Sequence, residues 1–332
     1  MRGATLFDMW SRRACVLVAM TVMTVLASGG VASAGPEQSR SVVPTAVSPV
    51  VRTQAAAVAY AKEHPDAAPP LSNDFRCRPN ASHPRPILLL HGTDSSAYSD
   101  FGEIAPMLAR RGFCVFAINY GGRPSGDGFG TEDVRRSGRQ VAAFIPRVLA
   151  ATGASALDII GYSQGANIGR YVIADLGAAH QVRRWIGLAS PTYGSIFYGL
   201  APLVGVPGLV DAVGPDIVSA ALVQQVAGSE FINRLNRGGD TVTGVDYTTI
   251  GSRYDEVIQP YTNMALRSRG ATNILISDRC PADMVGHFGM PYDRYAQQLL
   301  INVVDPDHPV RPQCRPVPLG FGIAEVVIGA HS

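Results

Sequence analysis

The chain has 332 residues, of which 46% are hydrophobic and 16% charged, and its formal net charge is only +2. That apolar fraction is enough to bury a core against the entropy of ordering the chain, which excludes disorder. The near-neutral balance leaves no electrostatic footprint for nucleic acid.

The N-terminus reads as an address. Arg2, Arg12 and Arg13 precede an apolar run from residue 14 to 26, and small residues ending in Ala32-Ser33-Ala34 follow. A basic region, a short apolar core and an A-x-A site in that order make a secretory signal peptide. The run is shorter than the about 20 apolar residues that span a bilayer. The expectation is a signal peptide at 1–34, a secreted (extracellular) product and no stable membrane span after cleavage. Its removal takes away three arginines, Asp8 and Cys15, leaving acidic and basic residues equal in number. Four cysteines remain, Cys77, Cys114, Cys280 and Cys314. An even number in an exported protein points to two disulfides. Of the three pairings that four cysteines allow, the sequential one is expected, Cys77–Cys114 and Cys280–Cys314, closing loops of 37 and 34 residues.

Residues 35–71 are rich in Ala, Pro, Val and Ser and read as a flexible lead-in with one short helix at 53–62. The remaining 72–332 reads as one domain. From Pro86 onward, short apolar runs alternate with helical patterns, the signature of βα units and a parallel sheet. The expected strands are 87–90, 114–118, 157–161, 185–189, 245–250 and 273–276. Nearly all their residues are apolar, as strands covered on both faces by helices require. Asp100-Phe101-Gly102-Glu103 resembles a capping box opening a helix that Gly112 ends. Residues 131–151 carry Val134, Val141, Phe144, Ile145 and Val148 at helical spacing, with Pro146 inside, which is expected to kink or break the helix. Further helices are expected at 164–176 and 292–304. The glycines of 120–130 do not follow the G-x-G-x-x-G spacing of a nucleotide loop, and this stretch reads as a flexible rim.

The chemistry concentrates around Gly161-Tyr162-Ser163-Gln164-Gly165. G-x-S-x-G is a weak motif alone, but here it follows an apolar strand and opens an amphipathic helix, which is the context a nucleophile elbow needs. A serine hydroxyl is a poor nucleophile at neutral pH and needs a general base, which itself needs orienting. His287 lies in the loop between the last strand and last helix and is the expected base. His308 lies beyond that helix among prolines, and His180 precedes the acid, so both are set aside. The expected acid is Asp255, just past the 245–250 strand. Glu256 beside it reads as a flanking carboxylate, and Asp246, Asp278 and Asp283 are lesser alternatives. Leu90-His91-Gly92-Thr93 ends the first of the expected strands. The loop there and the residue after the nucleophile supply oxyanion donors in this arrangement, which nominates Thr93 and Gln164. His91 reads as structural. No H-E-x-x-H, C-x-x-C or calcium loop is visible, so no metal and no cofactor are expected. Residues 194–228 hold only Asp211 and Asp216 as charges and read as a mobile apolar cap that forms an acyl channel and meets lipid.

These residues, together with Asn73-Asp74-Phe75-Arg76-Cys77, Tyr254-Asp255-Glu256-Val257-Ile258-Gln259-Pro260 and the segment from Cys280 to His287, carry a resemblance. The chain resembles the secreted class 2 lipases of actinobacteria, α/β-hydrolases related to Candida antarctica lipase B, over about residues 73–314. The resemblance implies an α/β-hydrolase fold with a mostly parallel central sheet and helices on both faces. It also implies Asp255 as the triad acid, Thr93 and Gln164 as oxyanion donors, both sequential disulfides, and activity on carboxylic esters including acylglycerols. One departure is Tyr162, which stands where the fungal lipase has a tryptophan shaping its alcohol-side pocket. The expected function is therefore a secreted serine carboxylic-ester hydrolase, a triacylglycerol lipase working at a lipid–water interface. A cutinase-like polyesterase or cell-envelope acyltransferase is the alternative among enzymes, and a non-catalytic lipid-binding protein the alternative outside them.

Overall fold

Ile87, Leu88, Leu89 and Leu90 are all fully buried, because their strand lies between two layers of helices rather than on a surface. This is the organising feature of the computed structural model, which describes residues 40–123, 128–196 and 219–323. The expected signal peptide, most of the expected cap (197–218) and residues 124–127 of the glycine-rich loop lie outside the described residues. Among the described residues, no helix is long and apolar enough to cross a membrane.

The strands are β1 (Arg40–Val42), β2 (Ile87–Leu90), β3 (Val115–Gly122), β4 (Leu157–Tyr162), β5 (Val182–Leu188), β6 (Asp246–Gly251) and β7 (Thr272–Leu275). They form one sheet in the order β1-β3-β2-β4-β5-β6-β7. All neighbours from β3 to β7 pair in parallel, and only β1 runs antiparallel, against β3. The helices are α1 (Gln54–Glu63), α2 (Ala97–Phe101), α3 (Ile104–Arg110), α4 (Val134–Thr152), α5 (Gln164–Ala174), α6 (Ala220–Gln224), α7 (Glu230–Leu235), α8 (Ile276–Arg279) and α9 (Arg294–Val304). Strand alternation divides the core in two. Ile87 and Leu89 join Phe101, Ile104, Leu108, Leu299 and Leu300 of α2, α3 and α9. Leu88 and Leu90 join Val141, Phe144, Val148, Ile168 and Val172 of α4 and α5 on the other face. This is the α/β-hydrolase architecture, and each of the six expected strands appears within a few residues of its expected place.

Three expectations are corrected. From Arg40 on, the segment expected as a flexible lead-in is folded: β1 closes the sheet edge, and the short helix expected at 53–62 forms as α1, capped by Thr53, and packs Ala57 and Tyr60 against Tyr98. Alanine contributes little hydrophobic contrast per residue, so this contact leaves a faint periodic trace. Asp100 does not cap a helix. Ser96 opens α2 by accepting from the Ser99 N–H, while Asp100 turns inward and is fully buried. Pro146 does not break α4, which runs 19 residues through it. Pro146 lies on the exposed face, where water can satisfy the carbonyl that it leaves without a helical donor.

Cys77–Cys114 ties the approach to β2 to the start of β3, and Cys280–Cys314 ties the end of α8 to the segment after α9. The chain-entropy model gives about 3–4 kcal/mol for a loop of the second size. Replacing Cys280 and Cys314 together by serine is expected to lower unfolding stability by about that much, read as a reduced midpoint in a guanidinium titration with a somewhat steeper slope as the unfolded chain opens.

Candidate active site

The elbow is built by close approach. Ser163 sits between β4 and α5 at φ 50° and ψ −122°, a left-handed conformation that a side chain adopts only under constraint. A Cβ at Gly161 would collide with the backbone of Ala166, and a Cβ at Gly165 with the carbonyls of Leu90 and His91. Glycine at both positions therefore lets α5 begin directly against β2. Ser163 is held at the C-terminal end of the sheet, at the head of a helix whose first N–H groups have no intrahelical acceptor.

His287 and Asp255 meet it there. His287 Nε2 lies 2.9 Å from Ser163 Oγ, and His287 Nδ1 lies 2.9 Å from Asp255 Oδ2. Asp255 is fully buried, and its other oxygen accepts from the N–H groups of Val257 (3.0 Å) and Ile258 (2.6 Å). With both its oxygens engaged, the carboxylate cannot rotate away from the imidazole. Burial opposes charging His287, but the Asp255 charge and hydrogen bond, helped by Glu256 and Asp100, outweigh it and raise its pKa above the ordinary 6.5.

The loop bearing His287 is fixed from two sides. Glu256 accepts from the N–H of His287 (2.6 Å) and of Phe288 (3.3 Å), and Tyr162 Oη donates to the carbonyl of His287 (2.9 Å). Glu256 is thus the flanking carboxylate that its sequence position suggested. Tyr162 does something the sequence did not show, since its hydroxyl clamps the loop that carries His287.

At the end of β2 the Gly92–Thr93 peptide is aimed by its neighbours. His91 Nδ1 lies 2.8 Å from the Gly92 carbonyl, and His91 Nε2 accepts from the Tyr120 N–H (3.2 Å), which fixes the Nδ1–H tautomer. Burial drives the His91 pKa down to about 4, so the ring is neutral. In a trans peptide C=O and N–H point in opposite directions, so pinning the Gly92 carbonyl also fixes where the Thr93 N–H points. Gly92 N–H in turn donates to Asp100 Oδ2 (2.7 Å). Burial pushes Asp100 up to about 6, against hydrogen bonds from Gly92, Ser95 and Gln54 that favour the ion.

Thr93 Oγ1 accepts from Gln164 Nε2 (2.9 Å) and from Gln225 Nε2 (3.0 Å). Each amide orientation is fixed because the same nitrogen also donates to a carbonyl, Gly130 for Gln164 and Ala221 for Gln225. With both lone pairs of the hydroxyl engaged, its proton has to be donated elsewhere. Thr93 therefore offers two donors, the backbone N–H and the hydroxyl.

The structure brings together Ser163, His287, Asp255, Thr93 and Gln164. It leaves His308 on Asp305, Asp246 on Arg183, and Asp278 on Arg253, and Asp283 accepts from the Val285 N–H. Asp100, Gln225 and the aiming role of His91 escaped the sequence reading. Gln225 left one trace, a polar residue ending an apolar stretch. It stands where the chain returns from the expected cap, whose described ends pair side by side at Ser195 and Val226.

A protein-family model described as Lipase (class 2) matches residues 84–299. Two curated triacylglycerol lipases, from Pseudarthrobacter phenanthrenivorans and Burkholderia plantarii, are each 37% identical over 94 residues. Those matches cover 27% of this chain and 28% and 25% of the relatives, so the chain spans about a quarter of the curated relatives it matches. Among solved structures, Aspergillus fumigatus lipase B aligns with a TM-score of 0.54 at 21% identity, covering 74% of this chain and 60% of that one. A Bacillus licheniformis lipase in its mature form aligns with a TM-score of 0.51 at 19% identity, covering 68% and 94%. At these identities the structural likeness speaks to the fold.

The two buried imidazoles are expected to titrate apart. In a histidine NMR titration, His287 should take up its proton above pH 6.5 while His91 stays neutral until about pH 4. Gly165→Ala should fold poorly, with a cost of about 3 kcal/mol or more, because backbone carbonyls cannot yield as side chains do, read as lost soluble yield or a lowered Tm.

Proposed function

The chain belongs to the class 2 lipase family, and from that premise we propose that it is a secreted serine carboxylic-ester hydrolase whose substrates are acylglycerols. The observation that carries the reading is the unbroken hydrogen-bonded line from Ser163 Oγ through His287 to buried Asp255, at 2.9 Å in each link. It is supported by the strained serine backbone, by the donors at Thr93 and Gln164, and by the equal numbers of acidic and basic residues beyond the expected signal peptide, which suit an uncharged substrate.

In this reading Ser163 Oγ attacks the ester carbonyl while His287 Nε2 takes its proton. Asp255 keeps the Nδ1–H tautomer facing it and stabilises the imidazolium that forms. Negative charge develops on the carbonyl oxygen, where the N–H groups of Thr93 and Gln164 and the Thr93 hydroxyl meet it. Their value lies in being aimed before the reaction, so no reorganisation is needed at the barrier. The imidazolium then protonates the leaving alcohol, and the acyl group stays on Ser163. A water deprotonated by His287 attacks the acyl carbon, and Ser163 recovers its proton as the carboxylic acid departs.

Ser163→Ala should lower ester hydrolysis by on the order of 10⁴-fold or more; a variant retaining near wild-type turnover on tributyrin would remove the assignment. Thr93→Val should lower kcat by about 10²-fold with little change in KM, while Thr93→Ser keeps most activity. Activity needs neutral His287, so kcat/KM should rise with pH through a midpoint above 6.5, and Asp255→Asn should move that midpoint down as the stabilising charge is lost.

A further inference from the structure

We propose that His83, Asp305 and His308 form a binding site for a borderline-soft divalent cation, Zn²⁺ being the best match, separate from the ester-hydrolysing machinery. The three side chains come from distant parts of the sequence. His83 lies in the segment between Cys77 and β2, while Asp305 is the C-cap of α9 and His308 follows in the turn beyond it. Each offers one ligand atom, and the three atoms all lie within 4.8 Å of one another. None of them takes part in the network around Ser163.

Two independent features point to a ligand. The first is the donor set, two imidazoles and one carboxylate. Calcium and magnesium take oxygen ligands, whereas imidazoles select zinc and its neighbours. The second is the state of His83. Its ring is buried and its Nε2 has no hydrogen-bond partner, although it is aimed at Asp305 Oδ2, 3.5 Å away. A buried polar atom left without a partner is costly in a folded protein. That separation is long for an N–H···O bond but close to the edge of a tetrahedron with bonds of about 2.0–2.1 Å, which is about 3.4 Å.

The ligands are also preorganised. Phe113 packs on the His83 ring at 3.9 Å, and Asn80 Oδ1 accepts from the His83 N–H at 2.9 Å. The Asp305 N–H is held by the carbonyl of Ile301, and the His308 N–H by that of Asp305. His308 Nδ1 is 2.9 Å from Asp305 Oδ1, so imidazoles approach the carboxylate from both sides. A bound cation would tie the lead into β2 to the turn after α9, adding a third cross-link to the two disulfides.

One group opposes the cation. Arg111 places its guanidinium 3.1 Å from Asp305 Oδ2 and also reaches the His308 carbonyl at 3.4 Å. It competes with a metal for the carboxylate and repels it. The site should therefore bind in the micromolar range, and removing Arg111 should tighten it.

The test is calorimetric titration of the untagged, chelator-treated full chain with Zn²⁺, and with Ca²⁺ in parallel. One Zn²⁺ per chain is expected, with no heat from Ca²⁺. His308→Ala, on an exposed side chain that folding does not need, should weaken binding at least 10-fold, and His83→Ala likewise. Arg111→Ala should tighten it several-fold. Saturating Zn²⁺ should raise Tm by about 5 °C in the parent chain and not in His308→Ala, with ester hydrolysis the same in both. Absence of saturable Zn²⁺ binding below about 1 mM would overturn the proposal, as would binding untouched by His308→Ala or binding that disappears in His287→Ala instead.

Discussion

The contact between Gly165 and the carbonyls at the end of β2 leaves no room for a side chain, and the site depends on it. Because α5 starts that close, the Ser163 elbow and the Gly92–Thr93 loop become parts of one rigid corner. The proposed oxyanion donors at Thr93 and Gln164 and the serine hydroxyl all belong to that corner. A side chain at that glycine would push the Ser163 turn away from the end of β2. The positive φ of Ser163 is the local cost of this packing, held in place by the sheet on one side and the helix on the other.

Around that corner lies a second ring of polar contacts that do no bond chemistry. His91 pins the Gly92 carbonyl, Asp100 holds the Gly92 N–H, Gln225 and Gln164 occupy the lone pairs of Thr93, and Glu256 and Tyr162 fix the His287 loop. Each removes one freedom from a group that the proposed mechanism needs held in place. Preorganised dipoles are worth most where water is excluded, and Asp100, Asp255, His91 and Gln164 are all fully buried.

Much of this was legible in the residues. Six apolar runs separated by helical periodicity yielded the parallel sheet, because strands buried on both faces leave an unmistakable apolar trace. Ser163, His287 and Asp255 were nominated from loop position after β4, before α9 and after β6, since the architecture puts strand C-termini at one edge. The edge strand β1 was not legible: three residues give no period, and its pairing is set by β3 some 80 residues on. Asp100 was misread because the local pattern of a capping box competed with a tertiary one, and the tertiary hydrogen bonds prevailed. The contacts of Gln225 with Thr93 and of His83 with Asp305 were invisible for a plainer reason, since the partners lie more than a hundred residues apart in sequence.

In the proposed mechanism Ser163 is the one group that His287 makes nucleophilic. A p-nitrophenyl alkylphosphonate probes this, with intact mass, released nitrophenol and ester hydrolysis followed together. The hydrogen-bonded line to Asp255 predicts one phosphonyl group per chain, located on Ser163 by peptide mapping, with hydrolysis lost in proportion to labelling. Full labelling at another residue, or hydrolysis persisting in protein fully labelled at Ser163, would contradict it.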